Sequence, residues 1–198
     1  MEPLAVAIRG VRLSQIKPGD SVAVFGCGSI GLFTMLWARK MGAKKVIALD
    51  VVSDRAEKAQ QLADNILNPA EITASEEIIK LTDNIGANIV FECSGNSQAQ
   101  QEAIESVRKG GQIVLLGIGY EPTPVMFMQL TMKEIGLKGS LGYSSLTDDS
   151  EFLTAINAVA SHDIEITKIP TNTFSLDSIG EAFKKSLNGD VAKAIVLI

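Results

Sequence analysis

The stretch Ser21-Val-Ala-Val-Phe25, followed directly by Gly26-Cys-Gly-Ser-Ile-Gly31, decides the fold. An apolar run of strand length leads into a G-x-G-x-x-G turn, and a helical segment follows over 29–41. A strand, a glycine-rich turn and a helix in this order indicate the start of a β-α-β unit. In such a turn Gly26 permits the tight reversal, Gly28 leaves the backbone open to a ligand, and Gly31 allows the helix to pack close to the strand.

Short apolar segments alternate with longer helical segments along most of the chain. Strands are predicted at 21–25, 46–49, 88–91, 112–116, 135–141 and 192–198, with a further short strand before the last helix. Helices are predicted at 2–16, 29–41, 53–63, 75–83, 97–109, 149–161 and 179–187. The segment 113–116 is apolar throughout, which is typical of a strand buried on both faces of a parallel sheet. We therefore expect an α/β protein of the Rossmann class, with a doubly wound parallel sheet, helices on both faces and a short C-terminal extension.

A polar segment at 144–150 divides the chain into two predicted regions. It is rich in Ser, Thr and Asp, as connecting segments commonly are. Residues 1–146 are expected to form the sheet domain with its leading helix. Residues 147–198 are expected to form a helix and strand extension.

The composition excludes several classes of function. The 198 residues carry 18 Lys and Arg against 23 Asp and Glu, a formal charge of −5, so we expect no nucleic-acid partner. The longest apolar runs are far shorter than the roughly 20 residues of a membrane helix, so we expect neither a membrane span nor a leader. Cys27 and Cys93 lack a metal-ligand spacing, and this cysteine usage predicts a cytoplasmic protein. The single histidine, His162, is predicted to be an exposed loop residue.

A phosphate-binding turn of this kind is usually followed by an acidic residue that binds the ribose of the ligand, and this chain has one at the expected distance. Asp50 ends the second predicted strand, about 20 residues after the glycines. A carboxylate there can accept hydrogen bonds from both hydroxyls of an adenosine ribose and would repel a 2′-phosphate, which predicts NAD rather than NADP. Two alternatives are a tight turn without a ligand and a methyltransferase that uses S-adenosylmethionine. The methyltransferase turn resembles G-x-G-x-G, and the spacing of Gly31 favours a dinucleotide instead.

Further motifs, in a fixed order, resemble the medium-chain dehydrogenase family over nearly the whole chain. They are Glu2-Pro3, Lys17-Pro18-Gly19-Asp20, the glycine turn, Asp50 with Arg55, Leu67-Asn68-Pro69, Phe91-Glu92-Cys93-Ser94-Gly95, Lys109-Gly110-Gly111, Leu116-Gly117 and Lys138-Gly139-Ser140. The Glu-Pro opening and the G-x-G-x-x-G turn are similar to the zinc-dependent polyol, butanediol and threonine dehydrogenase branch. Zinc-free quinone reductases usually have A-x-x-G-x-x-G. The Tyr-x-x-x-Lys pair of short-chain dehydrogenases is missing after Tyr120 and Tyr143.

The resemblance implies which residues hold the dinucleotide. Pyrophosphate contacts are implied for Gly26, Gly28, Ser29, Ile30 and Gly31, and adenosine contacts for Asp50 and Arg55. Contacts with the adenine and ribose cleft are implied for Cys93 and Ser94, and contacts on the nicotinamide side for Gly117, Ile118, Gly119, Ser140 and Leu141. Lys193 resembles a basic residue that approaches the cofactor phosphates, although a solvated lysine is nearly as good an interpretation.

The implied activity is oxidoreduction, with hydride transfer between a secondary alcohol and NAD. Family members hold their catalytic zinc in an N-terminal lobe, where it acts as a Lewis acid on the alcohol. Here only Glu2 matches a residue near that zinc, and Arg9 stands where polyol dehydrogenases often have His. We therefore expect no metal ligands, no catalytic residue and no alcohol turnover from these residues alone. The alternative is a stand-alone dinucleotide sensor.

Two exposed surfaces are also implied. The strand at 135–141 is expected to be a sheet edge through which two copies pair into a homo-oligomer, as edges do in relatives. The apolar faces of 172–198 resemble the part that returns to the catalytic lobe, and we expect them to be partly exposed.

Overall fold

The computed structural model describes residues 1–144, 150–188 and 190–198. The strands of the main sheet are β1 (Ser21–Phe25), β2 (Lys45–Leu49), β3 (Asn65–Leu67), β4 (Ala87–Glu92), β5 (Val107–Leu115) and β6 (Gly136–Gly139). The helices around it are α1 (Glu2–Ser14), α2 (Ser29–Lys40), α3 (Ser53–Glu57), α4 (Ala74–Leu81), α5 (Ser97–Ser106), α6 (Phe127–Lys133) and α7 (Glu151–Ala160). The C-terminal region contains β7 (Asn172–Ser175), α8 (Ile179–Asn188) and β8 (Ala194–Leu197). Among the described helices, none has the length and apolar character that crossing a membrane requires.

Strands β1 to β6 form one parallel sheet in the order β3-β2-β1-β4-β5-β6. The winding reverses between β1 and β4, which is where open α/β sheets form a ligand crevice at the carboxyl ends of their strands. Val22 and Val24 belong to the apolar layer beneath α1 and α2, whereas Ala23 and Phe25 belong to the layer beneath α4 and α5. The predicted doubly wound Rossmann sheet, with helices on both faces, is therefore confirmed.

Helices α1 and α2 fix the position of the glycine turn. Pro3 lies in the first turn of α1, and Gln15, which directly follows the helix, adopts the left-handed conformation. Leu4 and Ile8 lie one helical turn apart and are fully buried. Helix α2 is buried along most of its length from Gly31 onward. Because α2 is held so firmly, its N-terminus has a fixed position at the end of β1.

Three predicted elements differ from the structure by three or more residues at one end. The helix predicted at 53–63 ends at Glu57 and continues as tighter turns, in which the Gln60 amide bonds to the Glu57 carbonyl three residues back, at 3.1 Å. The helix predicted at 97–109 ends at Ser106, and β5 already begins at Val107. The pairing of β5 with β4 shifts its register before Gln112, where the strand was predicted to begin, and Gly110 adopts a positive φ in this irregular part.

Two short elements have no counterpart in the predicted pattern. β3 has three residues, all only partly buried, and it pairs with β2. α6 follows Pro122 and Pro124 and buries none of its residues. Neither element has a buried stripe, so hydrophobic periodicity gives no signal for it.

The C-terminal region differs from the main sheet in its packing. The predicted boundary between 146 and 147 falls within 145–149, outside the described residues. Helix α7 still contributes Ala155 and Ala158 to the core beneath α1 and α2. In contrast, β7 and β8 form a separate two-stranded parallel sheet, and α8 buries only Ala182. Phe183 and Leu187 on this helix are 65% and 83% exposed, so the expected apolar exposure is observed.

Candidate functional site

The glycine turn at the end of β1 has the geometry that its spacing predicts. Gly26 adopts a φ of +97°, a conformation that side chains disfavour. A Cβ on Gly31 would overlap the carbonyl oxygen of Gly26, so only glycine allows α2 to approach the strand this closely. A Cβ on Gly28 would meet no atom within 4 Å. Gly28 therefore borders open space, which is where a ligand could approach the backbone.

The N-terminus of α2 lies directly behind this open space. Gly28 is its N-cap residue, and the first amides of a helix have no intrahelical acceptor. Such a helix end attracts anions. The Ile30 side chain is partly buried and packs against the apolar core. The hydroxyl of Ser29 donates to the Ala192 carbonyl and thereby ties the C-terminal region to the turn.

Asp50 is held in a fixed orientation beside the turn. It follows β2 and is only 8% exposed. Its Oδ2 accepts a hydrogen bond from the Cys27 amide at 2.8 Å, and its Oδ1 accepts one from the Val52 amide at 2.9 Å. A carboxylate has about four acceptor positions, so these two bonds leave about two for further donors. The side chain is therefore oriented by the backbone and can still accept from a ligand.

A cavity of about 490 Å³ lies at the carboxyl ends of β1, β2 and β4. It is lined by the turn, the end of β2 and the loop after β4. Six predicted site residues are brought together in its wall: Gly26, Gly28, Asp50, Arg55, Cys93 and Ser94. The volume is that of a typical small-molecule pocket.

A second cavity, of about 360 Å³, shares Gly28 and Arg55 with the first. Its remaining wall comes from Ser29 and from the C-terminal region, including Lys193. Lys58 Nζ also donates to the Asp190 carbonyl at 3.1 Å, so the segment before β8 lies close to both α2 and α3. The structure thus brings Lys193 to the helix terminus, although it lies far from the turn in sequence.

The remaining predicted residues line neither of these two cavities. Gly117, Ile118 and Gly119 follow β5 and pack against the loop after β4, where the Ile118 carbonyl would lie 2.5 Å from a Cβ on Gly95. Ser140 follows β6 and donates its amide to the Leu115 carbonyl at 2.8 Å. Its hydroxyl oxygen is buried and, alone among the buried side-chain nitrogen and oxygen atoms of the described residues, has no hydrogen-bond partner. Leu141 is exposed.

The two cysteines are space-filling thiols rather than reactive ones. Cys27 is fully buried, and its Sγ lies 3.7 Å from the Leu49 carbonyl oxygen. Burial and the neighbouring Asp50 carboxylate raise the pKa of Cys27 to about 12. Burial and the Glu92 carboxylate also raise the pKa of Cys93. Since the thiolate is the nucleophile and the metal ligand, neither cysteine is suited to either task.

The described residues offer no metal site. In 1–144, 150–188 and 190–198 there is no group of three or more His, Cys, Asp or Glu side chains that could hold a metal ion. His162 is exposed in the turn after α7. Its backbone is left-handed, a conformation that an exposed loop residue can adopt. Arg9 contacts the Glu151 carboxylate at 3.4 Å and so links α1 to α7. These residues therefore do not fit a catalytic zinc.

Two residues that shape the cleft were not predicted as site residues. Asn96 lines the larger cavity and caps α5, accepting hydrogen bonds from the Gln98 and Ala99 amides. Glu92 is fully buried at the end of β4 and accepts hydrogen bonds from the loop that follows. The available signal for Glu92 was a charged residue directly after the apolar run Ile89-Val-Phe91.

Comparison with known proteins assigns the chain to a family. The profile described as zinc-binding dehydrogenase matches residues 29–161. The chain belongs to the zinc-binding dehydrogenase family. D-xylulose reductase A of Aspergillus oryzae is 33% identical over 99% of the chain, which covers 55% of that protein. Human sorbitol dehydrogenase is 31% identical over 96% of the chain, which covers 52% of that protein.

A solved member of this dehydrogenase family has the same fold. A Sinorhizobium meliloti 1021 protein, assigned as a zinc-binding dehydrogenase and bound to NADP, is 29% identical with a TM-score of 0.81. The match covers 91% of this chain and 53% of that one. The predicted family is confirmed, and the relatives are oxidoreductases. The chain spans about half the length of the relatives it matches.

Proposed function

We propose that these residues form the NAD-binding domain of a zinc-dependent alcohol or polyol dehydrogenase, which transfers a hydride between a secondary alcohol and NAD. The observation that carries the proposal is the setting of Asp50. Its carboxylate is oriented by the Cys27 and Val52 amides in the wall of a cavity whose opposite wall is the glycine turn. This arrangement matches the requirements of an adenosine ribose beside a pyrophosphate.

The residues present fit a dinucleotide that lies across the carboxyl ends of the strands. We infer that the amides at the start of α2 hold the pyrophosphate, with Lys193 and Arg55 supplying positive charge from the smaller cavity. Asp50 would accept from the ribose, and Cys93 and Ser94 would line the adenine side. On the nicotinamide side we infer contacts from the loop 117–119 and from the unpartnered Ser140 hydroxyl, with Leu141 beside it. The bound dinucleotide would supply the hydride acceptor.

We infer a preference for NAD over NADP. A 2′-phosphate would bring negative charge against the Asp50 carboxylate, in a site where both of its oxygens are already fixed by the backbone. A relative of this chain is bound to NADP, so members of the family differ in this respect. The position of Asp50 supports NAD here.

We further infer that the catalytic zinc belongs to a part of the parent protein outside these 198 residues. The described residues do not fit a zinc site, and the chain covers about half of its relatives. The exposed apolar side chains of α8, such as Phe183, also support a covering partner. A stand-alone sensor would have no use for that surface. We therefore expect no alcohol oxidation by these residues alone.

We also propose that two copies of the protein associate through β6. This strand lies at one edge of the sheet, so its outer hydrogen-bonding groups can pair with a second β6. Leu137 in β6 and Met132 in the preceding helix are exposed and would be covered by such a contact. The two free thiols are consistent with a cytoplasmic location, which we retain as part of the proposal.

Calorimetric titration of the chain with NADH and with NADPH tests the proposed domain. We expect NADH to bind with a micromolar to millimolar dissociation constant and NADPH to bind at least about tenfold more weakly, since one close charge repulsion costs about 1.4 kcal/mol or more. Asp50→Ala should weaken NADH binding and remove most of the preference between the two nucleotides.

Asp64→Asn is the matched control for the charge at Asp50. Asp64 accepts a hydrogen bond from the Val46 amide at 2.7 Å, at the opposite end of β2. This variant should keep the wild-type preference for NADH. Equal binding of the two nucleotides by the wild type, or binding of neither, would contradict the proposal.

A further inference from the structure

Glu92 is a charged residue at the centre of the sheet. It is the last residue of β4, the neighbour of β1 at the point where the winding reverses, and it is fully buried. Glutamate is almost never buried completely without partners. Its Oε1 accepts hydrogen bonds from the Ser94 amide at 2.7 Å, the Ser94 hydroxyl at 2.5 Å and the Gly95 amide at 2.9 Å. The side chain thus folds the loop after β4 back onto its own strand.

The backbone of Glu92 holds a second loop. Its carbonyl oxygen accepts from the Leu116 amide at 2.8 Å and from the Gly117 amide at 2.9 Å. Leu116 and Gly117 directly follow β5. One residue therefore ties together the loops that follow β4 and β5.

The two loops are in contact with almost no free space between them. A Cβ on Gly117 would overlap the Gly95 amide nitrogen and would lie 2.8 Å from Glu92 Oε2. A Cβ on Gly119 would lie 2.7 Å from the Gly95 carbonyl oxygen. Because the contact is this close, the position of the Ser94-Gly95 turn limits where the loop 117–119 can lie.

We propose that Glu92 is a positioning residue that fixes the wall between the two halves of the dinucleotide cleft. On one side of this wall, Ser94 lines the 490 Å³ cavity. On the other side, the loop 117–119 borders the inferred nicotinamide half. The inference rests on the proposed function, because only a ligand that reaches both halves is sensitive to the wall between them. Glu92 acts through the two loops and not by touching the ligand.

The test uses Glu92→Gln, with Asp64→Asn as the matched change from carboxylate to amide. Glu92→Gln keeps the shape of the side chain but removes its charge and places an amide donor near the Gly95 amide. Charge-assisted hydrogen bonds are about twice as strong as neutral ones. The variant should therefore raise the NADH dissociation constant by roughly tenfold and speed amide exchange at Ser94 and Gly95. Asp64→Asn should change the NADH affinity by less than about twofold.

A second variant, Glu92→Met, removes every acceptor at similar volume and should weaken NADH binding further than Glu92→Gln. If it does not fold, Glu92→Gln alone decides the question. A folded Glu92→Gln variant with wild-type NADH affinity and unchanged exchange at Ser94 and Gly95 overturns the inference alone. A wild-type chain that binds no NADH overturns the proposed function, and the inference with it.

Discussion

The main sheet and the C-terminal region bury their apolar side chains very differently. Phe25 and Phe91 are enclosed between the sheet and its helices, whereas Phe183 and Leu187 on α8 are exposed. A two-stranded sheet is at best marginally stable by itself, and β7 pairs only with β8 in the part of the chain that the structure describes. The main sheet therefore supplies its own stability. The apolar side chains of the C-terminal region form a surface that suits a covering partner.

Replacing one phenylalanine by alanine in each region should show the greatest difference in stability between the two regions. Phe91→Ala removes a fully buried ring and should lower the free energy of unfolding by about 3–5 kcal/mol. Phe183→Ala removes a mostly exposed ring and should change it by no more than about 0.5 kcal/mol. Urea denaturation of both variants measures the difference. Comparable losses would mean that α8 is part of the same core.

Alanine substitutions at two helical glycines, one in each region, should change stability with opposite sign. In Gly31→Ala the new Cβ would overlap the Gly26 carbonyl oxygen, which should cost about 2–3 kcal/mol and disturb the turn. In Gly180→Ala the new Cβ meets nothing within 4 Å, so the change should stabilise α8 by about 0.5 kcal/mol.

Global denaturation measures the effect at Gly31, and slower amide exchange along α8 measures the effect at Gly180. The two readouts differ because a weakly attached helix can open while the sheet stays folded. If Gly31→Ala unfolded at the wild-type denaturant concentration, the close approach of α2 to β1 would not limit this position.

The part of the fold that the sequence predicts is the part whose geometry is decided locally. The glycine spacing constrains β1, the turn and α2 within a few residues, and the apolar stretches of β2, β4 and β5 identify them as buried strands. The bounds of α3 could not be predicted, because its continuation over 58–62 forms tight turns with a similar composition. α6 has no buried face and therefore no periodic signal.

The candidate site likewise contains residues that the sequence predicts and contacts that it does not. Asp50 is predictable because its distance from the glycines follows from the length of one β-α-β unit. The role of Glu92 depends on contacts with a loop that follows a different strand, and no local pattern encodes that contact. The bond from Ser29 to Ala192 joins residues 163 positions apart. Sequence spacing carries no information about such a contact.

Helix α7 lies beyond the predicted boundary but packs on α1, and we expect the weakest change in stability at this contact. Burial of Glu151 opposes its ionisation, but the Ser144 amide, at 2.7 Å, and the Arg9 guanidinium outweigh it and hold its pKa below the ordinary value of 4.5. A carboxyl group with a lowered folded-state pKa stabilises the fold above its unfolded pKa, and this contribution is lost as the pH falls through the folded pKa. Wild-type protein should therefore exceed Glu151→Gln in unfolding free energy at neutral pH, and the difference should shrink below pH 4.5.

Chemical denaturation of both proteins from pH 7 to pH 3 measures this difference. Glu165→Gln is the control, because its exposed pair with Lys168 contributes little at any pH. A wild-type advantage over Glu151→Gln that stayed constant with pH would show that the Glu151 carboxylate acts by shape and not by charge. In that case the ion pairs with Arg9 and Arg12 would not hold α7 to α1, and apolar contacts such as that of Ala155 would account for the attachment.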